Sequence, residues 1–124
     1  MNVGIDLVEI ERIRKSSQKG RFMERVFSEK ESALFLTKKN PFETMAGHWA
    51  VKEAFSKAIK TGVRDFSLNE ISVLRDELGA PYLELTGKAK ELADRLELDF
   101  DVSISHTKDY ATAVVIAFKR GGNL

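Results

Sequence analysis

The longest helical pattern in the chain covers residues 42–60, and it constrains the fold more than any other segment. Within it, Val51, Phe55 and Ile59 recur at helical spacing and form a bulky apolar face. Gly62 is expected to end the helix, because glycine favours the position just after a helical C-terminus. The apolar face must pack inward, so the rest of the chain has to supply a layer that covers it.

The flanking segments alternate between strand and helix patterns. Ser28 followed by Glu31 is typical of a capping box at the start of a helix. Such a mixture of helices and hairpins predicts the α+β class, with a mainly antiparallel sheet wrapped by the one long helix. The predicted strands cover residues 1–8, 69–74, 82–85, 101–106 and 110–118, and the shorter predicted helices cover 9–17, 21–27, 29–36 and 87–96.

Composition excludes several classes of protein. The 124 residues suit one domain over 1–124, and the 20 basic and 19 acidic residues are too balanced for a surface that wraps nucleic acid. No apolar run approaches the roughly 20 residues that span a bilayer, and Asp6 stands where a signal peptide would be apolar. The absence of cysteine excludes disulfides and thiolate metal sites, so a cytoplasmic location is expected. A deep active site in so small a domain would need a second subunit.

Two acidic residues and one lysine are the first candidates for chemistry. Glu53 and Lys57 lie one turn apart on the long helix, away from its apolar face, and Asp6 interrupts an apolar strand. In one interpretation, Asp6 and Glu53 hold a hard cation such as Mg²⁺ and Lys57 meets a phosphate. In the other, Glu53 and Lys57 form an exposed ion pair, and Asp6 caps the helix near Glu9 or ends a strand.

Another candidate is His106, the last residue of a predicted strand, which shares one face with Ile104 while Ser103 and Ser105 lie on the other. A lone histidine in a strand is either structural or catalytic. The chain has no G-x-S-x-G, H-E-x-x-H or P-loop sequence, so these residues do not form a known hydrolase, zinc-protease or nucleotide motif.

Positive charge is concentrated between residues 12 and 25, where Glu24 is the only acidic residue. The segment is a solvated face, a docking patch for an acidic partner, or a small nucleic-acid site. A nucleic-acid site lacks support, because aromatic residues are not interleaved with the basic ones as in an RNA-recognition motif. The basic residues are Arg12, Arg14, Lys15, Lys19, Arg21 and Arg25.

Three segments in this order resemble holo-acyl-carrier-protein synthase, the short bacterial type of phosphopantetheinyl transferase. They are Val3-Gly4-Ile5-Asp6-Leu7-Val8-Glu9-Ile10, Trp49-Ala50-Val51-Lys52-Glu53-Ala54-Phe55-Ser56-Lys57-Ala58 and Ser103-Ile104-Ser105-His106-Thr107-Lys108-Asp109-Tyr110-Ala111. The resemblance covers nearly the whole chain. His48 and Ala80 depart from it, since many members have Arg and Lys at these positions.

The resemblance implies Mg²⁺-dependent transfer of the 4′-phosphopantetheine group from coenzyme A to a serine of apo-acyl carrier protein. It implies Asp6 and Glu53 as magnesium ligands, and we expect Glu53, Asp6 and His106 to be catalytic. Glu53 is the first candidate for the general base and His106 the second. The resemblance and its departures further suggest coenzyme A contacts at Lys57, His48, Pro81, His106 and Thr107.

The resemblance also implies a homotrimer with each active site between subunits, and an acidic carrier protein docked on Arg12, Lys19, Arg21 and Arg25. Nucleic acid and membrane are not expected as partners. The alternative function is a non-catalytic module that binds coenzyme A or a nucleotide without turnover.

Overall fold

Five helices and five strands make up the part of the chain that the computed structural model describes, residues 1–60 and 65–122. A short 3-10 turn, Leu68–Glu70, precedes the second strand. In chain order the elements are β1 (Asn2–Glu9), α1 (Ile10–Ser17), α2 (Phe22–Val26), α3 (Glu29–Leu36), α4 (Phe42–Ile59), β2 (Ile71–Arg75), β3 (Pro81–Leu85), α5 (Gly87–Leu96), β4 (Leu98–His106) and β5 (Tyr110–Lys119).

The strands form two antiparallel sheets, which confirms the predicted α+β class. One sheet has the order β1-β5-β4, and the other is the hairpin of β2 and β3. In the larger sheet Asp6 lies opposite Ala113, which in turn lies opposite Ile104. Side chains therefore alternate between a face that meets α4 and an outer face.

The core lies between α4 and the inner face of the larger sheet. Ala50, Ala54 and Phe55 on α4 have no exposed surface, and Ala113 and Val115 on β5 are buried against the same helix. Small alanines on both surfaces let the helix lie close to the strands, and this closeness positions the helix residues beside β1.

Most predicted boundaries agree with the structure. The capping box is present, because Ser28 Oγ accepts a hydrogen bond from the Glu31 backbone N–H at 3.3 Å and Glu31 Oε1 accepts one from the Ser28 N–H at 3.1 Å. Helix α4 ends at Ile59, and Lys60 takes the left-handed conformation (φ 53°) that ends many helices. The predicted stop at Gly62 lies outside the described residues.

One alternative for Asp6 and one predicted strand start were wrong. Asp6 does not cap the following helix, because β1 continues to Glu9 and Glu9 itself precedes α1. The strand expected from residue 69 begins only at Ile71, since residues 68–70 form the 3-10 turn, in which Glu70 accepts a hydrogen bond from the Ser67 N–H. Tertiary pairing therefore carries the first strand one residue further than predicted, to Glu9, and moves the start of the second to Ile71.

The outer face of β1 is apolar and exposed. Val3, Ile5 and Leu7 are each more than half exposed, and Ile5 lies opposite Val114 of β5. Among residues 1–60 and 65–122, no helix is long and apolar enough to cross a bilayer.

Candidate active site at the crossing of β1 and α4

Strand β1 crosses helix α4 at a glycine. A Cβ atom added at Gly4 would lie 1.9 Å from the Ala54 carbonyl oxygen and 2.8 Å from the Ala58 backbone nitrogen. No side chain fits into this space, so glycine is required for the backbone of β1 to approach the helix so closely. The crossing places the residues just after Gly4 beside the last turns of α4.

Asp6 and Lys57 meet at this crossing. Lys57 Nζ donates a hydrogen bond to the Ile5 carbonyl oxygen at 2.8 Å and lies 3.3 Å from Asp6 Oδ1. The Asp6 side chain is 18% exposed and the Lys57 side chain 56% exposed. The ammonium is thus partly solvated, whereas the carboxylate is mostly enclosed and retains a small accessible surface.

Glu53 lies one helical turn before Lys57 and is partly buried. The structure therefore brings Asp6 and Lys57 together, with Glu53 one turn earlier on the same helix, and a shared site of the three residues stays a prediction. The alternative of a simple surface pair between Glu53 and Lys57 does not account for the contact of Lys57 with β1.

The oxygen atoms at this crossing fit a magnesium ion that is bound partly by the protein and partly by phosphate oxygens. Asp6 and Glu53 offer carboxylate oxygens, and Mg²⁺ in proteins is held by one or two carboxylates together with phosphate oxygens and water. Within the described ranges, no group of three or more His, Cys, Asp and Glu residues could hold a metal by itself. The two carboxylates would therefore hold the ion together with substrate phosphates, and Lys57 would balance the negative charge of those phosphates.

His106 is the last residue of β4, and Thr107 begins the turn to β5, away from this crossing. His106 Nε2 is 3.2 Å from Glu43 Oε1, and its side chain is about half exposed. Glu43 and Lys57 are fourteen residues apart on α4, which corresponds to about 21 Å of helix. A single chain therefore does not bring His106 to Asp6.

Thr107 and Pro81, two of the predicted coenzyme contacts, lie in other parts of the fold. Thr107 Oγ1 accepts hydrogen bonds from the backbone N–H groups of Asp109 and Tyr110, so it shapes the β4–β5 turn. Pro81 begins β3 in the smaller sheet, opposite Arg75. Neither residue lies in the β1–α4 crossing.

His48 is not available to a ligand at the surface of this chain. Its side chain has no exposed surface, and its Nδ1 donates a hydrogen bond to Glu31 Oε2 at 2.7 Å. The coenzyme contact predicted for His48 is therefore not supported by its position, because the ring faces the core between α3 and α4. We leave His48 out of the proposed coenzyme-binding residues.

Sequence reasoning missed the buried ion cluster to which His48 belongs. Lys52 has no exposed surface, and its Nζ donates to Glu31 Oε1 at 2.6 Å, to the Leu68 carbonyl oxygen at 2.9 Å and to the Ile71 carbonyl oxygen. The available signal was that His48 and Lys52 lie one turn apart on the buried side of α4. We call Glu31, His48 and Lys52 the buried ion cluster.

The environment of this cluster changes the pKa of each member. Burial lowers the pKa of His48 below its ordinary 6.5, although the hydrogen bond to Glu31 opposes the shift. Burial also lowers the pKa of Lys52, against the attraction of Glu31. Burial alone would raise the pKa of Glu31, but the hydrogen bond from His48 and the charge of Lys52 outweigh it and lower that pKa. The neutral form of His48 is therefore the favoured one.

We expect the stability of the protein to fall as the pH is lowered from about 7 to about 5. The folded pKa of His48 lies below its unfolded value, so the unfolded chain takes up the proton more readily as the pH falls through about 6.5. Urea unfolding at several pH values measures this slope. In His48→Gln the slope should become smaller, and an identical slope in both proteins would contradict the assignment. The pKa of Glu31 is lowered by folding, so the stability that Glu31 contributes is lost only when the pH falls below the ordinary pKa of 4.5.

The predicted docking residues lie on an exposed basic surface. Arg12, Lys19, Arg21 and Arg25 are all exposed, and Arg21 forms a 2.8 Å ion pair with Glu24. Lys19, Arg21 and Arg25 line a groove of about 920 Å³.

The floor of this groove is aromatic. Phe22 and Trp49 stack within it with their ring centroids 5.7 Å apart. The groove therefore combines positive charge at its rim with an apolar floor, which suits a partner that offers acidic and apolar side chains.

Comparison with known proteins decides the family. Residues 2–115 match the model of the 4′-phosphopantetheinyl transferase superfamily. The chain belongs to this superfamily. Its sequence is 46% identical over 117 residues to a holo-[acyl-carrier-protein] synthase of Alkaliphilus oremlandii, covering 93% of this chain and 96% of the relative.

Solved structures of other phosphopantetheinyl transferases have the same fold. A synthase–coenzyme A complex from Chronobacterium ammoniagenes matches with a TM-score of 0.85 at 33% identity, covering 96% of this chain and 97% of that one. A holo-(acyl-carrier-protein) synthase from Bacillus anthracis, solved with CoA (3′,5′-ADP), matches with a TM-score of 0.80 at 35% identity, covering 95% and 96%. The resemblance inferred from the three sequence segments is thereby confirmed.

Proposed function

We propose that this phosphopantetheinyl transferase moves the 4′-phosphopantetheine group of coenzyme A to a serine hydroxyl of apo-acyl carrier protein. The serine oxygen forms a new bond to phosphorus, and the bond to adenosine 3′,5′-bisphosphate breaks. The contact of Lys57 with Asp6, one turn from Glu53, carries the proposal, because phosphoryl transfer needs positive charge beside the reacting phosphate.

We assign each residue at the crossing a separate task. Asp6 and Glu53 would hold Mg²⁺, and the ion would neutralise charge that develops on the phosphate oxygens. Lys57 would contact the diphosphate. Glu53 is the first candidate to take the serine proton and His106 the second, since the serine oxygen attacks only as its proton leaves.

A mass measurement tests the proposal. The protein is incubated with coenzyme A, Mg²⁺ and an apo-carrier protein from fatty acid synthesis, and the carrier is then weighed by mass spectrometry. We expect the mass of the carrier to rise by one phosphopantetheine group, and the rise to vanish when EDTA removes the metal. Tight binding of coenzyme A without any mass change would instead support the alternative, a non-catalytic coenzyme A-binding module.

We further propose that the chain folds as one domain and assembles as a homotrimer through the outer face of the larger sheet. One apolar core joins residues from Val8 to Ala117, which supports a single domain. Val3, Ile5 and Leu7 form an exposed apolar row that a partner subunit would cover. Assembly could bring His106 of one subunit to the β1–α4 crossing of another. A cytoplasmic location, which was expected from the absence of cysteine, stays a prediction.

Replacing Ile5 by Glu should dissociate the trimer, because a charge at the centre of an apolar interface loses its hydration. Light scattering after size exclusion should give the mass of one chain for Ile5→Glu and of three chains for the natural sequence. Leu36→Glu is the matched control, since Leu36 is 88% exposed on α3, away from this sheet. A trimeric Ile5→Glu protein would contradict the proposed interface.

Replacing Arg25 by Glu should raise the KM for the carrier protein roughly tenfold or more at low salt, with kcat little changed. Arg25 is exposed beside the groove, and its charge would meet the acidic carrier during docking. Arg95→Glu is the matched control, because it makes the same charge change on α5, away from the groove. Equal KM values for the two variants would show that the basic surface does not dock the carrier.

A further inference from the structure

We propose that Lys57 has a second task, which is to occupy the Asp6 carboxylate until coenzyme A arrives. Its ammonium lies 3.3 Å from Asp6 Oδ1, where it opposes the approach of a divalent cation to this carboxylate. The diphosphate of coenzyme A would draw the ammonium away and so open the carboxylate to the metal. This inference rests on the proposed function, since it assumes a metal at Asp6 and a diphosphate beside Lys57.

The position of the ammonium is fixed largely by backbone. The Ile5 carbonyl oxygen accepts its shorter hydrogen bond, at 2.8 Å, and Ile5 is held in the sheet opposite Val114. The absence of a side chain at Gly4 lets β1 lie directly against Ala54 of the helix, which brings the Ile5 carbonyl oxygen within reach of Lys57. Lys57 is therefore placed against Asp6 by the fold and not by Asp6 alone.

The carboxylate has little room for two cations. The Asp6 side chain is only 18% exposed, and the ammonium lies 3.3 Å from Oδ1. A divalent ion on the same carboxylate would lie within a few ångströms of the ammonium, and like charges at that separation repel strongly. Metal binding to the free protein should therefore be weakened by Lys57.

Lys57 can leave this position without any movement of the backbone. Its side chain is 56% exposed on a flexible four-carbon stem, so it can rotate toward solvent or toward a phosphate. A diphosphate offers the ammonium more negative charge than one carboxylate does. Coenzyme A and the metal should consequently bind with positive cooperativity, and each should raise the affinity for the other by the same factor.

Binding of Mn²⁺ alone, followed by electron paramagnetic resonance, tests the inference without the transfer reaction. We expect Lys57→Met to bind Mn²⁺ about tenfold or more tightly than the natural sequence when coenzyme A is absent. Lys57→Arg keeps the charge and should bind Mn²⁺ as weakly as the natural sequence. Adding coenzyme A should raise the Mn²⁺ affinity of the natural sequence far more than that of Lys57→Met.

Controls separate this effect from net charge and from folding. Lys38→Met removes one exposed lysine just after α3 and should leave Mn²⁺ affinity unchanged. Lys57→Gln is a second neutral variant, and circular dichroism establishes that each variant is folded. The inference is overturned if Lys57→Met binds Mn²⁺ no more tightly than the natural sequence, or if neither binds it detectably.

The outcome is distinguishable from failure of the proposed function. A protein that transfers phosphopantetheine but has equal Mn²⁺ affinities in the two forms would keep the function and lose the inference. Tighter Mn²⁺ binding by Lys57→Met, in a protein with no transferase activity, would keep the inference and refute the proposed function.

Discussion

Glu53→Gln is expected to lower the rate of phosphopantetheine transfer at least about a hundredfold. The amide has nearly the same shape as the carboxylate but lacks its charge, so it is a poor ligand for Mg²⁺ and cannot take a proton from the serine hydroxyl. Glu53 is partly buried on α4 and is not part of the apolar core. The loss should therefore appear in kcat rather than in folding, and mass spectrometry of the carrier at a series of times measures it.

Glu91→Gln is the matched control for this variant. It makes the same chemical change on the exposed surface of α5, away from the β1–α4 crossing, and should leave transfer unchanged. Circular dichroism and urea unfolding should give nearly the same curves for both variants. Transfer by Glu53→Gln within about threefold of the natural rate, under saturating Mg²⁺, would refute both tasks assigned to Glu53.

Local sequence signals predicted most of the fold because they act over a few residues. The capping box at Ser28 and Glu31 sets the start of α3 by bonds three residues apart. The alternation along β4 likewise placed Ser103 and Ser105 on the exposed face and Ile104 toward α4. These features depend on helical and strand periodicity, which can be inferred from one sequence.

Features that depend on distant contacts could not be predicted in the same way. His48 meets Glu31 across seventeen residues, so the sequence around His48 does not indicate which residue its ring contacts. The sequence suggested Asp6 and Lys57 as a site, but their contact spans fifty-one residues and depends on the close approach at Gly4. Pairing of β1 with β5 extends to Glu9 and removes the capping alternative for Asp6. Tertiary packing decided each of these cases.

Lys52→Met is expected to destabilise the protein by about 3–5 kcal/mol, the largest stability effect we predict. Lys52 is fully buried, and its ammonium balances the charge of Glu31 while it satisfies the carbonyl oxygens of Leu68 and Ile71. Methionine fills a similar volume but leaves a buried carboxylate without its counter-charge and two acceptors without a donor. Urea unfolding followed by circular dichroism measures the loss.

A double variant tests whether the loss comes from the ion pair. Glu31→Gln removes the unbalanced charge, so adding it to Lys52→Met should restore part of the lost stability and make the two changes non-additive. Lys90→Met, at an exposed pair with Asp94 on α5, should change stability little. If Lys52→Met were as stable as the natural sequence to within about 1 kcal/mol, the buried ion cluster would not be what holds α4 to α3 and to the 3-10 turn. Because α4 also carries Glu53 and Lys57, a confirmed loss would mean that the helix of the proposed site depends for its stability on a cluster outside that site.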